Sequence, residues 1–299
     1  MKYLLLYNPV SGRSHFKQHI PFIVEEFSKS NHTLEIYESK SAKDLMRVAE
    51  IEAKHHDVFL VAGGDGTVNE VLNGIMKSEV KPVLALLPSG TANDLASIIG
   101  INRNIKRSLK IYFSQQPVSI DVNQINDIYF LYTAASGMMS RISYDISRYK
   151  VKKYGYLAYV IEAMKDFVHD YRYPIEIITN GQKINCECMM VLGLSTNRVG
   201  GVSLNNFGKS KLNDGKFELR FFKRARRFRR VRLMSSFMLG GLKLREDLHL
   251  SSNYFEINTS EDVKWNVDGE FACKGNVIIQ THQEAIQIYV STRRKKKYF

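Results

Sequence analysis

Four repeats of an apolar strand, a turn-rich loop and an amphipathic helix fill the first hundred residues of this chain. The predicted strands span residues 3–7, 34–37, 57–62 and 83–87. Strands that alternate with helices in this way build a parallel sheet with helices on both faces. Ligands of such sheets bind beyond the carboxyl ends of the strands. Three of the four strands are followed there by loops rich in glycine or small polar residues.

The rhythm of the sequence changes after about residue 120. Strands then follow one another at short intervals, with helical patterns only at residues 154–168 and 229–242. The predicted strands are residues 130–134, 175–179, 183–194, 217–222, 254–258, 263–267, 277–281 and 286–290. Closely spaced strands predict a mostly antiparallel sandwich or open barrel. We therefore expect a three-layer, Rossmann-like α/β domain over residues 1–121 and a β-sandwich domain over residues 122–290, and leave open whether the tail, residues 291–299, returns to the first.

Positive charge is the strongest compositional bias, with a formal net charge of +13 at pH 7. Most of the surplus lies in two clusters, residues 223–232 and 293–297. Such patches attract an anionic partner: nucleic acid, a nucleotide or an acidic membrane. The first cluster leads into an apolar helix, which suits contact with lipid head groups but equally suits packing on the core with the charges solvated. The tail is of a kind that is usually disordered, and the alternative is a second electrostatic anchor.

Cysteine content and hydropathy limit the compartment and the relation to membranes. Three cysteines do not make a disulfide framework. Cys186 and Cys188 would lie on one face of a strand, where core packing is favoured over a metal pair. No apolar run approaches the roughly 18 residues of a spanning helix, and the N-terminal run is shorter than that of a signal peptide. We expect a cytoplasmic protein that is peripherally associated with membranes, with homodimerisation left open.

The sequence Gly63-Gly64-Asp65-Gly66-Thr67 is the strongest local signal for chemistry. It joins a buried strand to a helix, and its glycines let the backbone approach phosphates that the N–H groups of the helix start then bind. An aspartate there would repel a phosphate unless a cation lay between them, so Asp65 is interpreted as a Mg²⁺ ligand, directly or through water. The alternative is a glycine-rich turn in which Asp65 caps the helix.

Two further loops have a similar build. Ser89-Gly90-Thr91-Ala92-Asn93-Asp94 follows a buried strand and begins a helix, and Asn8-Pro9-Val10-Ser11-Gly12 follows the first strand. Thr91, Asn93 and Asp94 offer a hydroxyl, a carbonyl and a carboxylate at one edge. Each loop alone is also compatible with a turn or a capping motif. Together, on neighbouring strand ends, they favour a nucleotide phosphate site.

Several nucleotide-binding families are excluded by their motifs. The sequence has no Gly-x-x-x-x-Gly-Lys-Ser/Thr loop, no dinucleotide-binding fingerprint and no protein kinase motif set. The loops at residues 63–70 and 88–94, in that order, resemble those of the diacylglycerol kinase catalytic family in its soluble bacterial branch. The similarity covers nearly the whole chain and includes Lys211-Leu212-Asn213-Asp214-Gly215 and Asn266-Val267-Asp268-Gly269-Glu270. The first motif alone is shared with NAD kinases and phosphofructokinases.

The loop chemistry and the resemblance together imply a nucleotide site. Its residues are Asn8, Pro9, Val10, Ser11, Gly12, Ser39, Gly63, Gly64, Asp65, Gly66, Thr67, Val68, Asn69, Thr91, Asn93 and Asp94. At the position of Ser39 the family usually carries threonine, which keeps the hydroxyl. By the same resemblance, Asp65, Asp94 and Asp121 match an acidic network around the nucleotide and its Mg²⁺.

The resemblance also assigns residues in the second domain. Lys211, Asp214 and Lys216 match a structural Mg²⁺ site, with backbone carbonyls at the lysines and a carboxylate at Asp214. The sequence around Asp214 is alternatively a good hairpin turn. Glu270 matches the family's proton acceptor, which together with Asp65 would carry catalysis. Asp268-Gly269-Glu270 is alternatively a hairpin turn with solvated charges.

The resulting expectation is an ATP-dependent lipid kinase that transfers the γ-phosphoryl group of MgATP to a lipid hydroxyl. The resemblance favours diacylglycerol, converted to phosphatidic acid at an anionic membrane surface, with Mg²⁺ as cofactor and ATP as co-substrate. No nucleic acid partner is expected, because aromatic residues are not interleaved with the cationic runs. The alternatives are an NAD kinase and a non-catalytic module that binds anionic membranes.

Overall fold

The computed structural model of the chain describes residues 1–11, 16–137, 172–199, 202–204, 211–223 and 247–299. These residues divide into two units, one formed by Met1–Val122 with Gln283–Phe299 and the other by Asn123–His282. Both predicted helices after residue 137, at 154–168 and 229–242, lie outside the described residues, as does the basic cluster from residue 224 onward. No helix in the described part of the chain is long and apolar enough to cross a membrane.

The first unit alternates strands and helices along the chain. Its elements are β1 (Lys2–Tyr7), a 3-10 turn (Phe16–His19), α1 (Ile20–Ser28), β2 (Thr33–Glu38), α2 (Asp44–Glu52), β3 (Val58–Gly63), α3 (Asp65–Lys77), β4 (Val83–Pro88), α4 (Asp94–Ile99) and α5 (Ile105–Ser114). Strand β5 (Val118–Ile125) then passes along the chain into the second unit. The unit ends with α6 (Thr292–Tyr298).

The sheet of the first unit is parallel, with neighbouring strands in the order β4-β3-β1-β2. All six residues of β3 are buried, so this strand is covered on both faces, as parallel sheets require. The chain leaves β1 toward β2 and then returns to its other side for β3 and β4. Strand order therefore reverses between β1 and β3, the kind of position where such sheets bind ligands.

The second unit is rich in antiparallel strands. Its further elements are β6 (Ile128–Phe130), β7 (Thr133–Gly137), β8 (Tyr173–Thr179), β9 (Gln182–Leu194), β10 (Arg198–Val199), β11 (Val202–Ser203), β12 (Phe217–Lys223), β13 (Leu248–Ser252), β14 (Tyr254–Thr259), β15 (Lys264–Val267), β16 (Glu270–Lys274) and β17 (Val277–Ile288), the last of which continues into the first unit. The long strand β9 pairs with β7, β8 and β12, all antiparallel. One face packs a shared core around the fully buried Trp265. The predicted α/β unit followed by a strand-rich unit is confirmed.

Three local predictions were wrong. Residues 130–134 are not one strand, because β6 ends at Phe130 and β7 begins at Thr133. Residues 277–281 and 286–290 are not two strands, since β17 is continuous up to Ile288. The basic tail is not disordered: it forms α6, and its Tyr298 is buried.

Candidate functional site

The strands of the first unit end level with one another. In register, Tyr7 of β1 lies opposite Glu38 and Ala62. The ladder continues one step further, because Asn8 N–H donates to the Ala62 carbonyl (3.2 Å) and Ser39 N–H to the Tyr7 carbonyl (2.9 Å). Ser89 N–H likewise donates to the Gly63 carbonyl (2.9 Å). The loops predicted to bind a nucleotide therefore begin at a common edge.

The loops after β1, β3 and β4 approach one another closely at Gly64 and Gly90. A Cβ atom added to Gly64 would lie 3.3 Å from the Gly90 Cα and 3.8 Å from the Ser11 Oγ. A Cβ added to Gly90 would lie 2.4 Å from the Gly64 Cα. From the sequence, these glycines are interpreted as allowing a phosphate to approach the backbone. The structure gives a second reason for glycine at these positions, which is the contact between the loops themselves.

The two glycines should differ in their tolerance of alanine. In Gly90→Ala the added methyl group meets backbone, so the loop has to move, and overpacking of this kind costs about 1–3 kcal/mol. Gly64→Ala makes only a tight contact and should lose less. Chemical denaturation of both variants measures the free energies of unfolding. An equal or reversed order would contradict the loop packing seen here.

Asp65 is the first residue of α3, and Gly64 occupies the N-cap position. The Asp65 side chain therefore does not cap its own helix. One carboxylate oxygen, Oδ1, instead accepts a hydrogen bond from the Leu95 N–H (3.2 Å), in the first turn of α4. This bond places the carboxylate beside the starts of two helices, where the helix dipoles favour negative charge.

The Ser89-to-Asp94 loop is held by its own side chains and by one residue that the sequence analysis missed. Asn93 adopts a positive φ of 51° and its Oδ1 accepts from the Gly90 N–H (2.9 Å). Arg103 donates to the Gly90 carbonyl (2.6 Å) and the Thr91 carbonyl (3.4 Å). Arg103 belongs to no recognisable motif. It lies in the turn between α4 and α5, and only the folded chain brings it to the loop.

The other predicted nucleotide residues differ in exposure. Thr91 and Val10 are exposed, whereas Thr67, Val68, Asn93 and Asp94 are buried. Gly63 is also buried, and the remaining described members are partly exposed: Asn8, Pro9, Ser11, Ser39, Gly64, Asp65, Gly66 and Asn69. Gly12 lies outside the described residues.

Asp121, one of the three residues of the predicted acidic network, contacts strand β17. Asp121 is 5% exposed, and its Oδ1 accepts from the Glu284 N–H (2.8 Å), where Glu284 adopts a positive φ of 51°. Asp121 thus fixes an irregular point of β17. Across the described residues, no three His, Cys, Asp or Glu side chains gather in a way that could hold a metal ion by themselves.

Glu70, in the same motif as Asp65, has surroundings that disfavour its charged form. Its Oε1 is buried and without a hydrogen-bond partner. Burial raises the pKa of the Glu70 carboxyl, and the charge of Asp44 adds to the rise, although the Lys43 N–H and ammonium oppose it. Because the folded-state pKa is above the unfolded value, ionisation of Glu70 weakens the fold as pH rises through the folded pKa.

Glu70→Gln should therefore melt at a higher temperature than the wild type at neutral pH. The gap should close in acid, below the ordinary glutamate pKa of about 4.3, where both side chains are neutral. Thermal unfolding followed by circular dichroism at both pH values measures it. Glu50→Gln, a change of an exposed residue on α2, is the control. A Glu70→Gln protein that melts no higher than wild type at neutral pH contradicts this prediction.

Glu270 opens β16 in the second unit and is exposed. It lies opposite Val267 across a two-residue turn, in which Asp268 (φ 48°) and Gly269 (φ 91°) both adopt positive φ. That conformation is the type I′ hairpin, for which Asp-Gly is a favoured sequence. The hairpin turn and the assigned role of Glu270 are thus compatible.

The hairpin alternative assumed that the charge of Asp268 is solvated, and this is wrong. Asp268 is 5% exposed, and its carboxylate accepts from the N–H groups of Leu131 (2.8 Å), Tyr132 (3.0 Å) and Thr133 (3.1 Å). These are the residues at which the predicted strand 130–134 is interrupted. The interruption therefore follows from a carboxylate far away in the sequence, which also fixes the hairpin that carries Glu270.

The predicted structural Mg²⁺ loop precedes β12. Lys211, Asp214 and Lys216 are exposed, and the Asp214 Oδ1 accepts from the Lys216 N–H (3.1 Å). Gly215 between them has a positive φ of 71°. This is a side-chain-closed turn of the Asx type, and it leads into β12 rather than joining two described strands as a hairpin.

The cysteine pair lies in the second unit. Cys188 is fully buried in the core, Cys186 packs against it, and their Sγ atoms are 3.5 Å apart. The hydrogen bond from Cys188 lowers the pKa of the Cys186 thiol to about 7. A cavity of about 410 Å³ adjoins Cys186 and Asn258, and none of the predicted site residues lines it.

Comparison with known proteins decides the family. The profile of the diacylglycerol kinase catalytic domain matches residues 2–125. A diacylglycerol kinase of Bacillus subtilis (strain 168) is 31% identical over 270 residues, 89% of this chain and 89% of that protein. The chain belongs to the diacylglycerol kinase family. A second member, a diacylglycerol kinase of Staphylococcus carnosus (strain TM300), is 28% identical over 95% of this chain and 94% of its own.

The family assignment agrees with the fold. Two crystal structures of Bacillus anthracis str. Sterne proteins superpose on the chain with TM-scores of 0.84 and 0.79. Each is 24% identical and covers 98% of this chain, with 96% and 98% of its own length matched. The second is a diacylglycerol kinase. The similarity to the diacylglycerol kinase family inferred from the motifs is thus confirmed over both units.

Proposed function

We propose that this member of the diacylglycerol kinase family is an ATP-dependent lipid kinase that converts diacylglycerol to phosphatidic acid. The observation that carries the proposal is the meeting of Ser11, Gly64 and Gly90 at level strand ends. Such an edge, with helix N-termini behind it, suits a polyphosphate. The acceptor lipid is supported by the names of the relatives.

The nucleotide would be bound by the three loops of the first unit. N–H groups at the start of α3 and the hydroxyls of Ser11 and Thr91 are the donors available to phosphate oxygens. Arg103 contributes indirectly, because its bonds to two carbonyls hold the Ser89-to-Asp94 loop in place. Ser39, at the edge beside Tyr7, offers a further hydroxyl.

Mg²⁺ fits the donor set of this edge. The ion prefers oxygen ligands and usually takes only one or two carboxylates, completing its shell with water and phosphate oxygens. Asp65 is partly exposed at the starts of α3 and α4, so it is the carboxylate best placed for that role. When bound, the ion would neutralise charge on the β- and γ-phosphates. The second-unit loop with Asp214 remains a proposed structural site for the same ion.

Glu270 would act as the general base. As the lipid hydroxyl oxygen bonds to the γ-phosphorus, the bond from that phosphorus to the β–γ bridging oxygen breaks and ADP leaves. The hydroxyl proton passes to the Glu270 carboxylate. Asp268 is a positioning residue in this scheme, because it anchors the hairpin from which Glu270 projects.

An ADP-release assay with a panel of acceptors tests the substrate class. The purified chain would receive ATP and Mg²⁺ with diacylglycerol, a sphingoid base, undecaprenol or phosphatidylglycerol in mixed micelles, or with NAD in buffer. We expect ADP release to be fastest with diacylglycerol. ADP release only with NAD, together with formation of NADP, would identify an NAD kinase. If none of the acceptors supported ADP release, the chain would be a non-catalytic binding module.

A further inference from the structure

Two stretches of the first unit contain cations and no carboxylate side chains. Residues 95–120 and 285–299 together carry nine Lys and Arg residues and neither Asp nor Glu. Eight of these cations are exposed: Arg103, which donates to the Gly90 carbonyl, and seven on the two helices, namely Lys106, Arg107 and Lys110 on α5 and Arg293, Lys295, Lys296 and Lys297 on α6. We call these seven side chains the basic face.

The two stretches that carry the basic face pack against each other within the first unit. Ser291 N–H donates to the Ile99 carbonyl (3.0 Å). The Gly100 backbone lies so close to Ser291 and Arg294 that an added Cβ would reach their side chains at 2.1 and 2.6 Å. The rings of Tyr112 on α5 and Tyr289, just before α6, are 5.1 Å apart.

Helix α6 is anchored by its aromatic end. Tyr298 is 5% exposed, and Arg294 and Lys297 lie over its ring at 5.9 and 4.9 Å from the centroid. This packing holds a run of like charges in a helix that their mutual repulsion would otherwise disfavour. Folding does not account for the charges of α5 either, because Lys106 and Arg107 stand in its first turn, where cations oppose the helix dipole.

We infer that the basic face is a docking surface for a bilayer that contains anionic lipids. Its charge is complementary to such a surface, and the choice of a bilayer over other polyanions rests on the proposed function. None of the large hydrophobic residues that are exposed in the described chain falls within the two stretches. The contact is therefore electrostatic and shallow and weakens with salt. Single-stranded nucleic acid fits less well, since its binding sites usually place exposed aromatic stacking platforms beside the charges.

Cosedimentation of the full chain with vesicles tests this surface without nucleotide. Vesicles of phosphatidylcholine alone are compared with vesicles that also contain phosphatidylglycerol, at low and raised salt. Each cation near the surface is worth roughly fivefold in affinity. The triple variants Lys106→Gln/Arg107→Gln/Lys110→Gln and Lys295→Gln/Lys296→Gln/Lys297→Gln should each weaken binding to the anionic vesicles by about a hundredfold.

The matched control is Lys2→Gln/Lys54→Gln/Lys77→Gln, which removes three exposed charges elsewhere in the same unit and should bind nearly as the wild type does. The inference is overturned if the two triple variants bind like wild type, or if the control loses as much as they do. It is also overturned if duplex DNA binding, and not vesicle binding, is lost in the variants. Diacylglycerol phosphorylation in detergent micelles should be unchanged in the variants, so loss of docking and failure of the proposed kinase activity are separable.

Discussion

Glu270→Gln should lower kcat for lipid phosphorylation by about 10²–10⁴-fold, the contribution expected from a general base. Glutamine keeps the size of the side chain but does not accept the hydroxyl proton. Because Glu270 is exposed at the start of β16, its replacement should leave the fold intact. The KM for ATP should change little, since the proton is transferred only in the chemical step. Steady-state kinetics over a range of ATP concentrations gives both constants.

Glu261→Gln is the matched control for this loss. Glu261 is an exposed glutamate of the same unit, next to Gly275 in the turn before β15. Its change removes the same charge and should leave kcat within about twofold of wild type. If Glu270→Gln retained wild-type kcat, Glu270 would not be the base, and if it only raised the KM for ATP, its role would be binding.

Asp268→Asn should destabilise the second unit severely. Both carboxylate oxygens of Asp268 accept backbone N–H groups, and asparagine would present an NH₂ group to at least one of these donors. Breaking buried hydrogen bonds to a charged group costs about 1.5–3 kcal/mol for each bond. The thermal midpoint should fall by several degrees, and kcat should fall as well because the Glu270 hairpin loses its anchor.

Asp262→Asn separates this effect from a general loss of charge. Asp262 is exposed shortly before β15 in the same unit. Its midpoint should match that of the wild type. An Asp268→Asn protein as stable as wild type would mean that the three N–H groups do not depend on this carboxylate.

The parallel sheet could be read from the sequence because its determinants are local. Buried apolar runs such as Val58–Gly63, and the loops that follow them, predict strands and turns from only a few neighbouring residues. The order of the glycine-rich loops, together with the family resemblance, also located the edge at which they meet. What the sequence did not contain was the contact between Gly64 and Gly90, which depends on the pairing of β3 with β4.

The remaining differences arise from contacts between residues distant in sequence. The break between β6 and β7 depends on Asp268, more than a hundred residues away. The tail was expected to be disordered from its charge, but burial of Tyr298 and packing on Gly100 make it helical. The role of Arg103 could not be predicted for the same reason, since only the folded chain brings its side chain to the Gly90 carbonyl.

Transfer of the γ-phosphate itself is the most direct test of the proposed kinase. The chain would be incubated with γ-³²P-labelled ATP, Mg²⁺ and diacylglycerol in mixed micelles, and the extracted lipids separated. We predict labelled phosphatidic acid that disappears with EDTA and falls by about tenfold or more in Asp65→Asn, which retains an oxygen for the Leu95 N–H but loses the charge that Mg²⁺ needs. Equal lipid labelling by the wild type and Asp65→Asn, or no labelled lipid from a folded wild-type protein, would contradict the account.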